Sequence, residues 1–465
     1  MKVVKGVWGW FDDRTGLSNL FQPLLYHPVP PKTGWPYTLG SATLAAFTVQ
    51  VITGIALSTA YVTSTADAYD SLKFITDDAP FGHMLRGMHF WGASAMVLLI
   101  GLHTIRTFLY GSYKFPREVS WLTGTVLLLL TLALAFTGQL LRWDQTAYWS
   151  VIVGAKQAGQ VPILGGPIAD FIRAGSTVGG ATLSRFFALH VFFVPAGIFL
   201  FVGLHLYLVV RNGISEPPTP GDPVDPKTYR AKYHDLLRRR GVPFWPDAAL
   251  PDLTMAFIVI LGIAVLAFVF GAPALDKPPD PTILQAYPRP DWYFLWYFAV
   301  LALIPPATEP FVIVLGPLLL GVLLFLLPLL GNKGERAPSR RPWAIVVVIT
   351  VVAMVSTFWF AGEQAPWSPA FAAQGVPSQL IGTTSGPVAS GAKLFKDRGC
   401  IYCHTMGSQG GERGPNLTYV GSRLNHEQLV TRILNGGNNM PAYGGIMSPD
   451  DINALVAFLE SRKEP

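Results

Sequence analysis

Both cysteines of the chain lie in one short motif near its C-terminus. Cys400 and Cys403 are separated by two residues, and His404 follows directly. This C-x-x-C-H pattern is the attachment sequence of a c-type haem, in which the cysteines are bound covalently and the histidine ligates the iron. The alternative is a zinc or redox motif. Because the haem motif uses both cysteines, we expect no disulfide.

Four histidines form a second pattern, inside apolar stretches of the sequence. His89 and His103 are 14 residues apart, and His190 and His205 are 15 residues apart. On an α-helix these intervals bring the side chain back to nearly the same face after a rise of about 21–22 Å. Two such helices side by side would pair His89 with His190, and His103 with His205. Each pair could hold a haem iron from both sides. The alternative is four core histidines bonded to the backbone, although ionisable groups in lipid are usually functional.

Two pairs of glycines repeat the histidine spacing in neighbouring apolar stretches. Gly40 and Gly54 are 14 residues apart, as are Gly124 and Gly138. A missing side chain would let the edge of a flat porphyrin approach the helix backbone. Ordinary small-residue packing between membrane helices is the alternative explanation.

The composition of the chain indicates a membrane protein. Of 465 residues, 51% are hydrophobic and only 13% are charged, against about 25% charged in soluble domains. A helix needs about 20 apolar residues to cross a bilayer. We predict seven spans, near residues 37–60, 88–110, 120–141, 187–210, 253–271, 311–330 and 343–361. The net charge of +6 is spread over loops and gives no reason to expect a nucleic-acid partner.

The distribution of basic residues predicts the orientation of the chain. Loops on the N-terminal side of the membrane hold seventeen Lys and Arg residues, and loops on the other side hold eight. Basic residues favour the cytoplasm, so the N-terminus should be cytoplasmic and the C-terminal haem motif outside. Bacteria attach c-type haem outside the cytoplasmic membrane, which agrees. No signal peptide is evident, and residues 1–36 suit a helix on the membrane surface.

At this point the sequence resembles cytochrome b of the quinol:cytochrome c oxidoreductases, in the b6 type. The resemblance runs over residues 1–361 through "YTLGSATLAAFTVQVITG", "FPREVSWLTG", "RWDQTAYW" and "GSTVGGATLSRFFALH". Residues 245–361 resemble the three-helix subunit IV, here fused. The predicted fold is all-α, a seven-span bundle followed by a small helical cytochrome c domain. The predicted domains are a surface helix (1–36), a four-helix di-haem domain (37–215), a three-helix domain (216–361), a linker (362–386) and a cytochrome c domain (387–465).

The resemblance implies roles for further residues. The quinol-oxidation signature Pro-Glu-Trp-Tyr is present as "PDWY", residues 290–293, which makes Asp291 and Tyr293 the catalytic candidates. Aspartate in place of glutamate resembles the pattern in menaquinol users, although Asp291 could instead be only a helix N-cap. Basic residues matching positions near haem propionates or quinone are Arg86, Arg106, Arg117 and Arg211.

Two positions depart from the b6 pattern. Thr38 stands where the b6 type has a cysteine that binds an additional haem, so no thioether bond can form there, and a non-covalently held additional haem is left open. Arg142 replaces the usual proline before Trp143, which leaves the local turn open.

The tail resembles a small class I cytochrome c. His404 would be the first iron ligand and Met440, in "NMPAYGG", the second, because a thioether opposite histidine raises the potential. Met406 and Met447 are alternatives. Ser448 should cap the last helix.

The leading functional hypothesis is the core subunit of a bc-type quinol:cytochrome c oxidoreductase that builds proton motive force. The resemblance implies two b haems, one covalent c haem, and quinol, as menaquinol, oxidised at the outer side. It also implies a Rieske iron–sulfur protein, a homodimeric complex, contact with membrane lipid, and a cytochrome c or terminal oxidase as acceptor. One alternative is a haem-bearing anchor that passes quinol electrons to a bound reductase or dehydrogenase without bifurcation. Another is a transporter or haem-handling protein.

Overall fold

In the computed structural model, the described residues are 2–280, 289–305, 308–364, 373–412, 414–436, 440, 442–445 and 447–464. They form two compact units, Met1–Pro279 with Ile313–Ala353, and Asp280–Val312 with Met354–Pro465. The all-α prediction is confirmed. Within the described ranges the strands are Pro28–Val29 and Val242–Pro243, which pair antiparallel. The division of the sequence into five domains stays a prediction.

Among the described residues, seven helices are long and apolar enough to cross a membrane, in agreement with the predicted number. In chain order, from the first span to the seventh, they are Leu39–Ser58, Gly82–Leu109, Glu118–Leu140, Gly180–Asn212, Phe244–Phe270, Glu309–Leu330 and Pro342–Glu363. The second, fourth and fifth spans begin several residues earlier than expected. Their first turns contain polar and charged residues, which hydropathy alone leaves outside the span.

Shorter helices connect the spans and build the tail. In the first unit they are Lys2–Thr15, Leu17–Leu25, Ala68–Asp77, Gln145–Ala158, Gly165–Arg173 and Tyr229–Arg240, with short 3₁₀ turns at Trp35–Tyr37 and Pro338–Arg340. In the second unit they are Trp292–Leu303, Ser378–Ile381, Gly386–Asp397, Cys400–Cys403, His426–Asn435 and Pro449–Glu460, with a 3₁₀ turn at Val420–Ser422.

The spans of the first unit pack around a small apolar core. Phe47 of the first span, Met96 of the second, Ile198 of the fourth and Ile263 of the fifth are all buried in one cluster. Elsewhere the spans turn large apolar side chains outward; Phe268 is 81% exposed and Leu330 is 80% exposed. Soluble monomers rarely expose so much apolar surface, which fits spans surrounded by lipid.

An ion pair fixes the turn after the third span, where the sequence has Arg142 in place of the usual proline. The Arg142 guanidinium donates to Asp144 Oδ2 from Nε at 3.0 Å and from Nη2 at 2.5 Å. Asp144 is fully buried, and its other oxygen accepts from the Ala147 amide at 2.8 Å. This N-cap starts the helix Gln145–Ala158, and Arg142 holds the capping residue in place.

Two crossing helices organise the tail. Gly391 in Gly386–Asp397 lies so close to Pro449–Glu460 that a Cβ on it would be 2.0 Å from the Ala454 carbonyl oxygen. Beside this crossing the rings of Phe395 and Phe458 pack with centres 5.8 Å apart. The predicted cap of the last helix is present, since the Ser448 hydroxyl accepts from the Asp451 amide at 3.2 Å.

Candidate functional site

The second and fourth spans bring the four histidines into two pairs. The rings of His89 and His190 lie with their centres 6.2 Å apart, their planes inclined at 75°. An iron bonded to both rings at about 2 Å, with each ring centre about 1 Å behind its nitrogen, needs centres about 6 Å apart. The geometry of this pair therefore fits a bis-histidine haem. His103 and His205 are close enough to interact electrostatically, so they form the second pair.

Each of the four histidines packs against one of the four spaced glycines. A Cβ built on Gly54 would lie 3.2 Å from His89 Cε1, and one on Gly138 would lie 2.6 Å from His190 Cε1. Cβ atoms on Gly40 and Gly124 would lie 3.3 and 3.5 Å from Cε1 of His103 and His205. At Gly138, Gly54 and Gly40 the missing side chain thus leaves room for the imidazole, whereas a Cβ on Gly124 would make an ordinary contact. The sequence pattern predicts room for a porphyrin edge at these glycines but does not predict their contact with the histidine rings.

A π-helical turn accounts for the unequal histidine intervals. Leu189–Phe193 forms such a turn inside the fourth span, and His190 lies within it. A π turn bonds residue i to i+5 and so accommodates one extra residue. The 15-residue interval to His205 therefore matches the 14-residue interval of the second span. Pro195 lies one turn further on, and its missing N–H removes the α-helical bond to residue 191.

The four arginines proposed as cofactor-binding residues have different surroundings. Arg86 donates to Thr76 Oγ1 at 3.1 Å and to the Pro273 carbonyl at 2.8 Å. Arg117 is satisfied by protein, with Tyr229 Oη at 2.7 Å and the Gly213 carbonyl at 2.8 Å among its partners. Arg211 is exposed and donates to Tyr207 Oη at 2.7 Å.

Of these four arginines, Arg106 is the one with buried donors that no described residue satisfies. Its Nε and Nη2 are buried without a hydrogen-bond partner, and its guanidinium stacks 3.6 Å above the centre of the Tyr37 ring. Buried donors normally have partners. The site therefore fits an anionic group such as a haem propionate, and His103 lies three residues earlier on the same helix. Sequence reasoning missed Tyr37, whose ring lies under this guanidinium.

In the tail, His404 has the surroundings of an iron ligand. Its Nδ1 lies 2.8 Å from the Pro415 carbonyl; the carbonyl can only accept, so Nδ1 carries the proton and Nε2 is free for a metal. Burial lowers the pKa of His404, which favours the neutral ring that ligation requires. A Cβ on Gly414 would be 2.4 Å from His404 Cε1, so a glycine again makes room for the imidazole.

An apolar cavity in the tail is lined by His404 and by one methionine, Met440. The lining residues are Phe395, Cys400, His404, Leu417, Ile433, Met440, Tyr443, Leu455 and Leu459. The two alternative methionines, Met406 and Met447, are buried in the hydrophobic core of the tail instead. The arrangement of Cys400, His404 and Met440 around one cavity fits a covalently bound haem with His/Met ligation.

The PDWY segment begins the helix Trp292–Leu303. Asp291 is the N-cap residue, but its side chain makes no capping bond. Its Oδ2 instead accepts from the Tyr293 hydroxyl at 2.8 Å. The helix is held against the end of the seventh span, where a Cβ on Gly362 would be 2.7 Å from Leu295 Cγ. Among the described contacts, the Asp291 side chain therefore does not cap this helix.

Comparisons with known proteins agree with this arrangement. Family models match at residues 24–213 (Cytochrome b/b6/petB), 278–380 (Cytochrome b(C-terminal)/b6/petD) and 386–459 (Cytochrome C oxidase, cbb3-type, subunit III). Cytochrome b6 of Synechococcus elongatus is 38% identical over 211 residues, which cover 45% of this chain and 98% of the relative. Cytochrome b6 of Prochlorococcus marinus is 36% identical over 217 residues, 47% of this chain and all of the relative.

A solved structure described as a hyperthermophilic respiratory Complex III matches with a TM-score of 0.66 and 27% identity. The match covers 85% of this chain and 94% of that one. The fold and the histidine pairs thus define a multi-pass membrane cytochrome. The chain belongs to the cytochrome b/b6 family, with a petD-type region and a cytochrome c domain fused behind it. It is a cytochrome b subunit of the bc and b6f class of quinol oxidoreductases.

Proposed function

We propose that this chain is the quinol-oxidising core of a bc-type complex with two b haems and one covalent c haem. When bound, these haems supply one-electron transfer across the membrane and outward to an acceptor. The iron ligands are His89 with His190, His103 with His205, and His404 with Met440, and the c haem is attached through Cys400 and Cys403. The observation that carries the proposal is the pair of rings 6.2 Å apart, supported by a glycine opposite each histidine.

Asp291 is proposed as the first proton acceptor in quinol oxidation. Quinol loses two protons with its two electrons, and a carboxylate within hydrogen-bond reach can take one of them. The Tyr293 hydroxyl, bonded to Asp291 Oδ2 at 2.8 Å, holds that carboxylate in one orientation, and Oδ1 is the oxygen proposed to take the proton. Because aspartate is one methylene shorter than glutamate, quinol must approach more closely or act through a water molecule.

Binding of the b haems would use the arginines named above. The unpaired nitrogens of Arg106 suit a propionate near the His103–His205 pair, and Arg86 lies three residues before His89. Arg117 already forms hydrogen bonds with protein groups. Its proposed contribution is therefore to the positive charge around the quinone, and the same contribution is proposed for Arg211. Neither arginine need touch the cofactor for that effect.

The remaining parts of the proposal concern the setting of the enzyme. The substrate is menaquinol, following the aspartate in PDWY. The N-terminus is cytoplasmic and the cytochrome c domain lies outside the cytoplasmic membrane of a bacterium. The chain has only two cysteines, both in the haem motif, so the iron–sulfur cluster must come from a separate Rieske protein. The complex is a homodimer whose acceptor is a cytochrome c or a terminal oxidase.

Purification of the native complex tests the proposal. We expect two b haems and one c haem per chain, a co-purifying Rieske protein, and faster turnover with a menaquinol analogue than with a ubiquinol analogue. A complex with full haem content but no iron–sulfur protein would favour the non-bifurcating membrane anchor. A haem-free preparation, competent in transport, would contradict both.

A further inference from the structure

Three threonines contact the ring nitrogens of the paired histidines. Thr53 Oγ1 lies 2.9 Å from His89 Nδ1, and Thr137 Oγ1 lies 3.2 Å from His190 Nδ1. Thr123 Oγ1 lies 2.9 Å from Nδ1 of His205. Each threonine directly precedes the glycine that accommodates the same imidazole. The first and third spans therefore present the same Thr-Gly pair to three of the four histidines.

The hydrogen-bond direction follows from counting protons. A threonine hydroxyl has one proton to donate. In each case that proton has a backbone acceptor in its own helix: Val49 for Thr53 at 2.7 Å, Ser120 for Thr123 at 2.9 Å, and Ala133 for Thr137 at 2.8 Å. The hydroxyl therefore accepts from the histidine, so Nδ1 carries the ring proton. Nε2 then presents its lone pair toward the facing histidine.

The fourth histidine lacks this arrangement. The glycine opposite His103 is Gly40, and the residue before it is Leu39, which has no hydroxyl. The neighbouring Thr38 donates its hydroxyl proton to the Trp35 carbonyl at 2.8 Å. The two histidine pairs thus differ: threonines contact both rings of one pair and one ring of the other.

We propose that Thr53, Thr123 and Thr137 are positioning residues that fix the histidine tautomers and set the haem potentials apart. This inference rests on the proposed bis-histidine ligation. A hydrogen bond from Nδ1–H to an acceptor makes the imidazole a more basic ligand. A more basic ligand stabilises ferric over ferrous iron, so it lowers the midpoint potential. The haem held by His89 and His190, with two such bonds, is therefore shifted lower than the haem held by His103 and His205, with one.

The test is a redox titration of the b haems in single variants of the purified complex. Thr53→Val and Thr137→Val keep a branched side chain but remove the acceptor, and each should raise the potential of the His89–His190 haem. Thr123→Val should raise that of the other haem. At a fixed ambient potential, the ratio of reduced to oxidised haem should rise by up to about tenfold, the equivalent of one hydrogen bond.

Matched variants separate tuning from structural damage. Thr131 is a buried threonine of the third span whose hydroxyl bonds only to the Leu127 carbonyl, at 2.8 Å, among the described contacts. Thr131→Val should leave both potentials unchanged. Serine in place of Thr53, Thr123 or Thr137 should restore the original potential, since it restores the hydroxyl. Leu39→Thr should lower the potential of the His103–His205 haem.

The outcomes distinguish this inference from the proposed ligation. Loss of the His89–His190 haem in His89→Leu supports the ligand assignment, whatever potentials the threonine variants show. If haem content stays complete but the three valine variants titrate like Thr131→Val, the tuning role is refuted. If a valine variant fails to assemble, Leu39→Thr and the serine variants still test the tuning role. That role would be refuted if Leu39→Thr left the haem potentials unchanged and the serine variants altered them.

Discussion

Replacing Gly138 with alanine tests whether the spaced glycines exist to admit the histidine rings. A Cβ at this position would lie 2.6 Å from His190 Cε1 and 3.2 Å from both ring nitrogens. Carbon atoms pack best at about 3.5–4.0 Å, so the methyl overlaps the ring by about 1 Å. The ring cannot move away without leaving the position in which it faces His89.

The size of the effect follows from that overlap. Forcing one methyl group into a packed site costs about 1–3 kcal/mol, and the same energy lost from haem binding is a reduction of about 5–150-fold in affinity. Helix propensity acts in the opposite direction, because alanine stabilises a helix interior by about 0.5–1 kcal/mol relative to glycine. Loss of haem in the variant therefore cannot be attributed to a weaker helix.

The measurement is b-haem content per chain, taken from reduced-minus-oxidised spectra, with the covalent c haem as internal standard. Gly124→Ala is the matched control in the same span, because its Cβ would lie 3.5 Å from His205 Cε1, an ordinary contact. Gly54→Ala and Gly40→Ala, at 3.2 and 3.3 Å, should fall between them. Equal haem content in the Gly138 and Gly124 variants would refute the steric argument.

Three further predictions address the ligands and the proton acceptor. His103→Leu should remove one of the two b haems while the c haem stays attached; survival of both b haems in the spectrum would exclude His103 as a ligand. Met440→Ala should lower the midpoint potential of the c haem and remove the spectral signature of thioether ligation, whereas an unchanged spectrum would point to Met406 or Met447. Asp291→Asn should slow quinol oxidation by about 10²-fold or more with normal haem content, and full turnover in that variant would end the proposed role in proton transfer.

The number of spans and the pairing of histidines could be predicted because both depend on simple periodicities. A membrane helix must satisfy its backbone internally, so long apolar runs identify spans with little ambiguity. The predicted ends of the spans were less accurate. The second span, for example, begins at Gly82 rather than near residue 88. Polar residues in the first turn of a helix lower hydropathy without interrupting the hydrogen bonds.

The contacts around each histidine could not be predicted in the same way. Threonine is common in apolar helices, where its hydroxyl bonds to its own backbone, so nothing marked Thr53 or Thr137 as different from Thr131. The sequence feature that could have identified them is a threonine directly before each of three spaced glycines. That feature indicates a contact with histidine only once the structure shows that each glycine faces a histidine ring. Arg106 and Arg117 show the same limit: both are buried or nearly so, and only the structure separates the unpaired guanidinium from the satisfied one.

The fourth span shows how local backbone geometry can compensate for a sequence interval. On a regular α-helix, 15 residues leave His190 and His205 about 60° apart around the axis, and 14 residues leave His89 and His103 about 40° apart. If both helices were regular, these unequal angles would prevent both histidine pairs from facing each other equally well. The π turn over Leu189–Phe193 absorbs the extra residue at the ligand itself. His190, which lies within this turn, also makes the tightest of the four glycine contacts, with Gly138.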